Sequence, residues 1–333
     1  MVDLPDWSHH ALTGVSLDAA GLVALTDLAV IERRTALTGS SCFADSLVIC
    51  PGIHRQSDAL RIHQGEYPIA ANTFSGYVFR VENQGTVNYL QSVGETGKLV
   101  TLKVRRDRSS WSRLRWLIDL SGSALSTLLY MFTMVITMIV LIFMIIFNDW
   151  WGMGILLFLI AARASSIYSI RRRCSANWHG ASEPGVQGAL LVLLSQDRWI
   201  RLYGQVDDIK AVTSGQWLRD GDTFDDFLSS VSTVIVYGSA ALASNATQIG
   251  KIMLAVMFLV NSGLLGMSNN LRHSLYMKDY IISKTGNTRS YVRRTDMAHE
   301  LIKETGRDDW AVKMGLVLTS TKHDDLDDAV VHV

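Results

Sequence analysis

The sequence predicts a membrane α-helical protein, with about four transmembrane helices in two hairpins joined to a small α+β cytosolic domain. Three observations carry this. The stretch "LSGSALSTLLYMFTMVITMIVLIFMIIFN", Leu120 to Asn148, contains no Asp, Glu, Lys or Arg, and a hydrocarbon core about 30 Å thick needs only about 20 helical residues. Three further apolar stretches follow, and the four fall into two pairs. Lys and Arg gather at the outer ends of each pair and are scarce at the turns between.

Trp150 to Ile170 ("WWGMGILLFLIAARASSIYSI") follows the first span after only Asn148 and Asp149, which suits a tight hairpin. Leu228 to Ala246 is uncharged throughout, and Ile252 to Met267 completes a second hairpin. The whole-chain averages hide this pattern: formal net charge is zero and 48% of residues are hydrophobic, values ordinary for a soluble domain. The expected division is a cytosolic α+β region over 1–115, transmembrane hairpins over 116–170 and 228–270, a cytosolic β-hairpin plus helix over 171–227, and a cytosolic tail over 271–333.

Orientation follows from the basic residues close to the spans. Lys98, Lys103, Arg105, Arg106, Arg108, Arg113 and Arg115 precede the first, Arg171, Arg172 and Arg173 follow the second, and Arg272 and Lys278 follow the fourth. The hairpin tips carry only Asp149 and Lys251 as charges. Both termini and the middle loop are therefore expected in the cytosol, with the protein in an endomembrane or the plasma membrane. The start "MVDLPDWSHHALTG" lacks the basic residues and apolar core of a signal peptide, so the first span is expected to act as its own insertion signal. Trp150 and Trp151 suit the interface at the first tip. The Asn245 sequon lies too near the bilayer to be a good acceptor and is read as a chance match.

In the N-terminal region, Leu22, Leu25, Leu28 and Ile31 recur at helical spacing within Leu17 to Arg34. "SLVIC", "YVFRV" and "GKLVTLKV" read as strands. In the middle loop, "GALLVLLS" and "WIRLYGQ" form a hairpin around Gln196, Asp197 and Arg198, and Val206, Ile209, Thr213 and Trp217 align on a helix. A hairpin alone is marginal in water, so it is expected to pack on the N-terminal region. A tail helix is expected from Thr295, as N-cap, to Gly306, as stop, before an acidic end.

Arg163 is the one full charge well inside a predicted span, and such residues are costly and often functional. It lies about 21 Å along its helix from the tip, level with Thr133 on the first span, so Thr133 and Tyr130 are its candidate partners in a polar site. The competing reading is a side chain that snorkels to the interface. Asp222, Asp225 and Asp226 in "RDGDTFDDF" form a possible metal site at the entrance to the third span; intramembrane prenyltransferases and some terpene cyclases use Asp-rich motifs at comparable positions, but their pattern needs two separated motifs on different helices, and Asp207-Asp208 is a poor second one. An acidic solvated loop is the alternative. Cys50, His54 and His63 lack a fourth ligand for zinc, and three cysteines without a close pair fit reduced thiols.

No hydrolase, zinc-protease, P-loop or dinucleotide motif is present, and no cofactor is expected. The basic cluster of Lys103, Arg105, Arg106, Arg108, Arg113 and Arg115 is read as facing anionic lipid of the cytosolic leaflet rather than nucleic acid. Small-residue stripes, Ser239, Ala243 and Thr247 on the third span and Ser262, Gly266 and Asn270 on the fourth, are expected to pack against each other or between chains.

The string "LLVLLSQDRWIRLYGQVDDIKAVTSGQWLRD" and the hairpins flanking it resemble a group of multi-pass membrane proteins from filamentous fungi, over roughly Arg115 to Met314. The resemblance implies an origin and a topology, and no mechanism. The function expected is a multi-pass integral membrane protein anchoring a cytosolic interaction domain, which binds a partner protein, lipid or a second copy. The alternatives are a membrane-embedded enzyme or carrier for a lipophilic metabolite, or a small oligomeric channel.

Overall fold

The computed structural model describes residues 25–26, 28–106, 120–174, 180–277 and 279–318, with the side chains of 57–60 and 120–123 left aside. Among these, four helices are long and apolar enough to cross a membrane: Ala124–Ile146, Trp150–Arg173, Thr223–Asn245 and Gln248–Asn270. They mark a membrane protein. The first begins at Leu120 as a helix (α3, Leu120–Ile146), the second is α4 (Trp150–Arg173), the third α6 (Thr223–Leu242, continued by a short 3-10 turn) and the fourth α7 (Gln248–Asn270). The outward face of α3 leaves Leu128, Phe132, Val135, Ile139 and Phe143 exposed, a surface that water would not tolerate and lipid favours.

The spans pair in an order that sequence adjacency does not suggest: α4 lies along α6, and α3 along α7. Each pair carries a serine clasp. Ser126 and Ser268 donate to one another's backbone carbonyls, both at 2.8 Å, across α3 and α7. Ser232 donates to the Ala162 carbonyl at 2.9 Å and meets the Ser166 hydroxyl at 2.8 Å across α6 and α4. Lipid offers no hydrophobic drive between helices, so close contact and such bonds hold them together. Within the chain the expected seam between the third and fourth spans does not form. Ser239 is buried, and a Cβ at Gly266 would meet nothing within 4 Å. The reason is the chain from α1 (Val30–Thr38) through two 3-10 turns, Phe43–Leu47 and Ile53–Arg61, which packs on helices of both pairs.

Asp149 ties the two tips. Its carboxylate accepts from the Gly152 N–H at 2.9 Å, capping α4, and from the Thr247 N–H and hydroxyl at 3.2 and 2.9 Å, at the start of α7. Two helix N-termini, each partially positive, thus share one carboxylate. Gly250 leaves the space: a Cβ there would sit 1.8 Å from Asp149 Oδ2.

The remaining chain builds one mixed sheet of eight strands from three separate segments. Before α3 come β1 (Ile69–Asn72), β2 (Val78–Arg80), α2 (Gln84–Val93) and β3 (Lys98–Arg106). Between α4 and α6 come β4 (Gln187–Leu194), β5 (Arg198–Gln205) and α5 (Val206–Thr213). After α7 come β6 (Ser274–Met277), β7 (Tyr280–Lys284), β8 (Arg289–Ser290), α8 (Arg294–Thr305) and α9 (Asp309–Lys313). The order is β2-β1-β4-β5-β3-β7-β6, with β8 on β3. The β3–β5 pair is parallel and the others are antiparallel.

The β4–β5 turn has both Gln196 and Asp197 left-handed, as the tight return of a hairpin requires. One sheet face packs on α2, α5 and Trp217, in a core that also takes in Ala36 and Leu37 of α1 and Ile170 of α4. The other face packs on α8 and α9. The "SLVIC" strand does not form: its residues span the end of a 3-10 turn and an irregular stretch packed among the spans. The helix expected to end at Arg34 runs on to Thr38, and residues 1–24 lie outside the described residues. The middle helix stops at Thr213, yet Trp217 is fully buried and its indole N–H donates to the Gly39 carbonyl at 2.8 Å.

Candidate functional site

Between the two helix pairs lies a group of buried charges drawn from distant parts of the chain. Arg34 on α1, Asp45 on the first 3-10 turn, Tyr130 on α3 and Arg163 on α4 are all at most 9% exposed. Asp45 is held by its own turn, where it accepts from the Cys42 N–H at 2.8 Å and the Cys42 thiol at 3.3 Å. The Tyr130 hydroxyl also donates to it. The Arg34 guanidinium stacks 4.2 Å from the Tyr130 ring centre, a cation–π contact strengthened by burial. Asp45 attracts both guanidinium groups.

Arg163 is 2% exposed, so its guanidinium is enclosed by protein and does not snorkel to an interface. Its Nε and Nη1 have no hydrogen-bond partner among the described residues. The sequence places Tyr130 and Thr133 level with it, and the structure puts Tyr130 in the same cluster through Asp45. Thr133 is equally buried, but its hydroxyl donates to the Tyr130 carbonyl at 2.7 Å. A second polar line runs at this level. Asn261 on α7 donates to the Ile49 carbonyl at 3.0 Å and to the Thr137 hydroxyl at 3.2 Å, while its own carbonyl oxygen has no partner among the described residues. Irregular backbone within a bundle of spans needs such donors, because lipid supplies none.

The energetics make this cluster unusual. Each ion removed from water costs several kcal/mol, and each buried donor left unbonded costs about 1–3 kcal/mol. Asp45 carries no warning in the sequence. The only local signal is a weak Cys42-to-Asp45 cap; Tyr130, which donates to it, lies 85 residues away in sequence, and Arg163 further still.

The Asp cluster is engaged otherwise. Asp222 accepts from Arg219 at 2.7 Å and Arg172 at 3.1 Å, and Asp225 accepts from Arg219 at 3.1 Å and from the Asp222 N–H at 3.1 Å. Together they cap α6. The Arg219 hydrogen bond, with the nearby Arg172 charge, holds the Asp222 carboxyl below its usual range. Asp226 is exposed in the first turn. Among the described residues no group of three or more His, Cys, Asp or Glu is placed to hold a metal, Cys50, His54 and His63 included. Asp222 and Asp225 serve as partners for Arg219 and Arg172.

Of the basic cluster, Lys103 and Arg105 project from β3 on the face that carries α8, opposite the face on which Ile170 of α4 packs. Arg106 lies over the Tyr280 ring at 5.7 Å. Arg108, Arg113 and Arg115 lie outside the described residues.

The sheet domain also carries an open cleft of about 560 Å³ between β1, β2, β4 and α5. Its walls include Asn72, the stacked Tyr77 and Phe79, Arg80 and Lys210. Lys210 is tied to the Ala181 carbonyl at 3.0 Å and to Glu183 at 2.5 Å. This size falls in the range of sites for small organic ligands, and no sequence motif announces it. No family model, curated protein or solved structure matches the chain.

Proposed function

We propose that this is a multi-pass integral membrane protein whose four spans anchor a cytosolic interaction domain, with both termini in the cytosol. One observation carries the reading. Strands β3, β5 and β7 come from before, between and after the two pairs of spans, and they are neighbours in one sheet. Three segments that share a sheet must lie on one side of the membrane, and the basic residues flanking the spans favour the cytosolic side. Only the short turns at Asn148 and Asp149 and around Thr247 then reach the far side. The cleft beside Tyr77 and Phe79 supplies the domain with a surface for a ligand or peptide, in keeping with a binding role.

The test is accessibility labelling of single cysteines placed at Asn148, Ser244, Gln196 and Gly306 in intact cells. Labelling by an impermeant maleimide is expected at the first two positions alone. Labelling at Gln196 or Gly306 without permeabilisation would overturn the reading.

The charge cluster favours a second reading, in which the bundle itself handles an ion or a polar ligand as a carrier or channel. Its support is the buried Arg163, whose Nε and Nη1 have no partner among the described residues.

A further inference from the structure

We propose that the free edge of strand β2, with the cleft beside it, is the docking site of this chain's own segment Ala329–Val333, added to the sheet as a further strand. The proposal rests on the reading of the sheet domain as an interaction domain, and it names the occupant of that domain's cleft.

The edge comes first. Strand β2 ends the sheet order and pairs with β1, Phe79 opposite Ala70 and Val78 opposite Ala71. On its other side no strand among the described residues meets it. An unpaired edge is a template for another strand, and proteins cover such edges or blunt them with charge. Here the edge carries aromatic surface instead. Tyr77 is 67% exposed and stacks on Phe79 with ring centres 5.8 Å apart, and both rings also line the cleft of about 560 Å³. A strand added to an edge gains affinity from main-chain hydrogen bonds and specificity from pockets for alternate side chains. β2 and the cleft offer both.

The chain supplies a strand at the same place. Around α9 the backbone is tied to the β1–β2 turn: Lys313 Nζ donates to the Gly76 carbonyl at 2.8 Å, and Arg307 Nη1 to the Phe74 carbonyl at 3.1 Å. Leu316 is then buried in the core that contains Ala71 of β1. Beyond Leu318 the sequence continues for 15 residues, "TSTKHDDLDDAVVHV", which lie outside the described residues. Fully extended they would span about 50 Å, whereas neighbouring strands lie about 5 Å apart. The reach is ample. Within this stretch the run of strand-forming type is Ala329–Val333, with valine at 330, 331 and 333. A tethered segment meets the edge at high effective concentration, so a modest intrinsic affinity is enough. The charges of the cleft offset one another, Arg80 and Lys210 against Glu82 and Glu183. Strand pairing and apolar contact therefore carry the binding, which should depend only weakly on salt.

The experiment uses the full-length protein in detergent, with a fluorescent synthetic peptide of the sequence Thr319–Val333 as probe. Val330→Asp with Val331→Asp places charge on both faces of the added strand and is expected to free the edge. The probe should bind this double variant saturably, and the wild-type protein about tenfold more weakly, because its own segment competes. Adding Tyr77→Ala to the double variant should weaken binding about tenfold. Absence of saturable binding to the double variant would overturn the proposal. So would equal affinity for the wild-type protein, or binding that Tyr77→Ala leaves unchanged. Masking of the edge only at concentrations where the detergent-corrected mass doubles would give the edge to a second copy, and overturn it too. Should the double variant fail to fold, hydrogen exchange on the wild-type protein decides: slow exchange is expected within Ala329–Val333, and fast exchange throughout it would sink the idea. Sidedness is tested apart from this, by the cysteine labelling in cells, so a failure there and a failure here are distinguishable.

Discussion

The sheet domain and the interior of the helical bundle are both buried, and they are built by opposite means. The larger sheet core is assembled from residues such as Val100, Leu102, Val192, Ile200 and Leu202, all at most 2% exposed. Its backbone is satisfied by the strand ladder. The bundle interior buries Arg34, Asp45, Gln56, Thr133, Arg163 and Asn261 alongside its aliphatic residues. Water drives the first assembly. In the second, helices facing lipid gain nothing from hiding apolar surface, so hydrogen bonds and close backbones hold the elements together. The difference teaches that large-to-small changes should dominate in the sheet domain, while in the bundle the sign and balance of charge should matter more than volume.

The largest break is expected at Trp217, which fills the sheet core and ties it to Gly39. Trp217→Ala should destabilise the domain by about 3–5 kcal/mol, read as a lower denaturation midpoint in detergent. In the bundle, Asp45→Ala removes a carboxylate that attracts two buried arginines and should cost about 3 kcal/mol or more. Arg163→Met removes a buried guanidinium whose Nε and Nη1 have no partner among the described residues, and melting should be unchanged or higher. A strong loss of stability there would show that Arg163 is held by protein contacts alone.

Two glycines of α7 sharpen the contrast between tight and open surface. Gly250→Ala places a methyl group against the Asp149 carboxylate that links the tips, and overpacking of this kind costs about 1–3 kcal/mol. Gly266→Leu meets open space and should change melting by no more than about 0.5 kcal/mol. A large effect at Gly266 would point to a contact between copies of the chain.

The smallest effect concerns acid. The Asp222 carboxyl is held low by Arg219, so its contribution to stability is present above its unfolded value. It should be lost only as pH falls through the still lower folded value. Because the pair is exposed, Asp222→Asn should alter the melting temperature at pH 7 only slightly, and the difference from wild type should vanish in strong acid.

Much of this architecture was legible in the sequence where the signal is local. The first span shows itself by the absence of charge from Leu120 to Asn148, the others by long apolar stretches with few charges, and the β4–β5 hairpin by two apolar runs around Gln196 and Asp197. Strands β1, β6, β7 and β8 escaped because each has at most five residues and is defined by partners far along the chain. The pairing of spans escaped for a related reason: small residues on α6 and α7 announce close packing but not with which neighbour. Arg163 was visible as a charge out of place. Asp45 was not, since nothing in "FADSL" separates a buried counter-ion from a surface turn.

The interleaving of strands and spans has a consequence for biogenesis. Strand β3 leaves the ribosome before any span, yet its lateral partners are β5, made after the second span, and β7 and β8, made after the fourth. Until then its edges stay unpaired, and pairing over such sequence separations is slow. The N-terminal third must therefore wait, with open strand edges of the kind that invite wrong partners. Completion of the sheet becomes a check that all four helices have been inserted. On the proposed topology, a chain that skipped one span would deliver β7 to the wrong side of the membrane and leave the edge of β3 open.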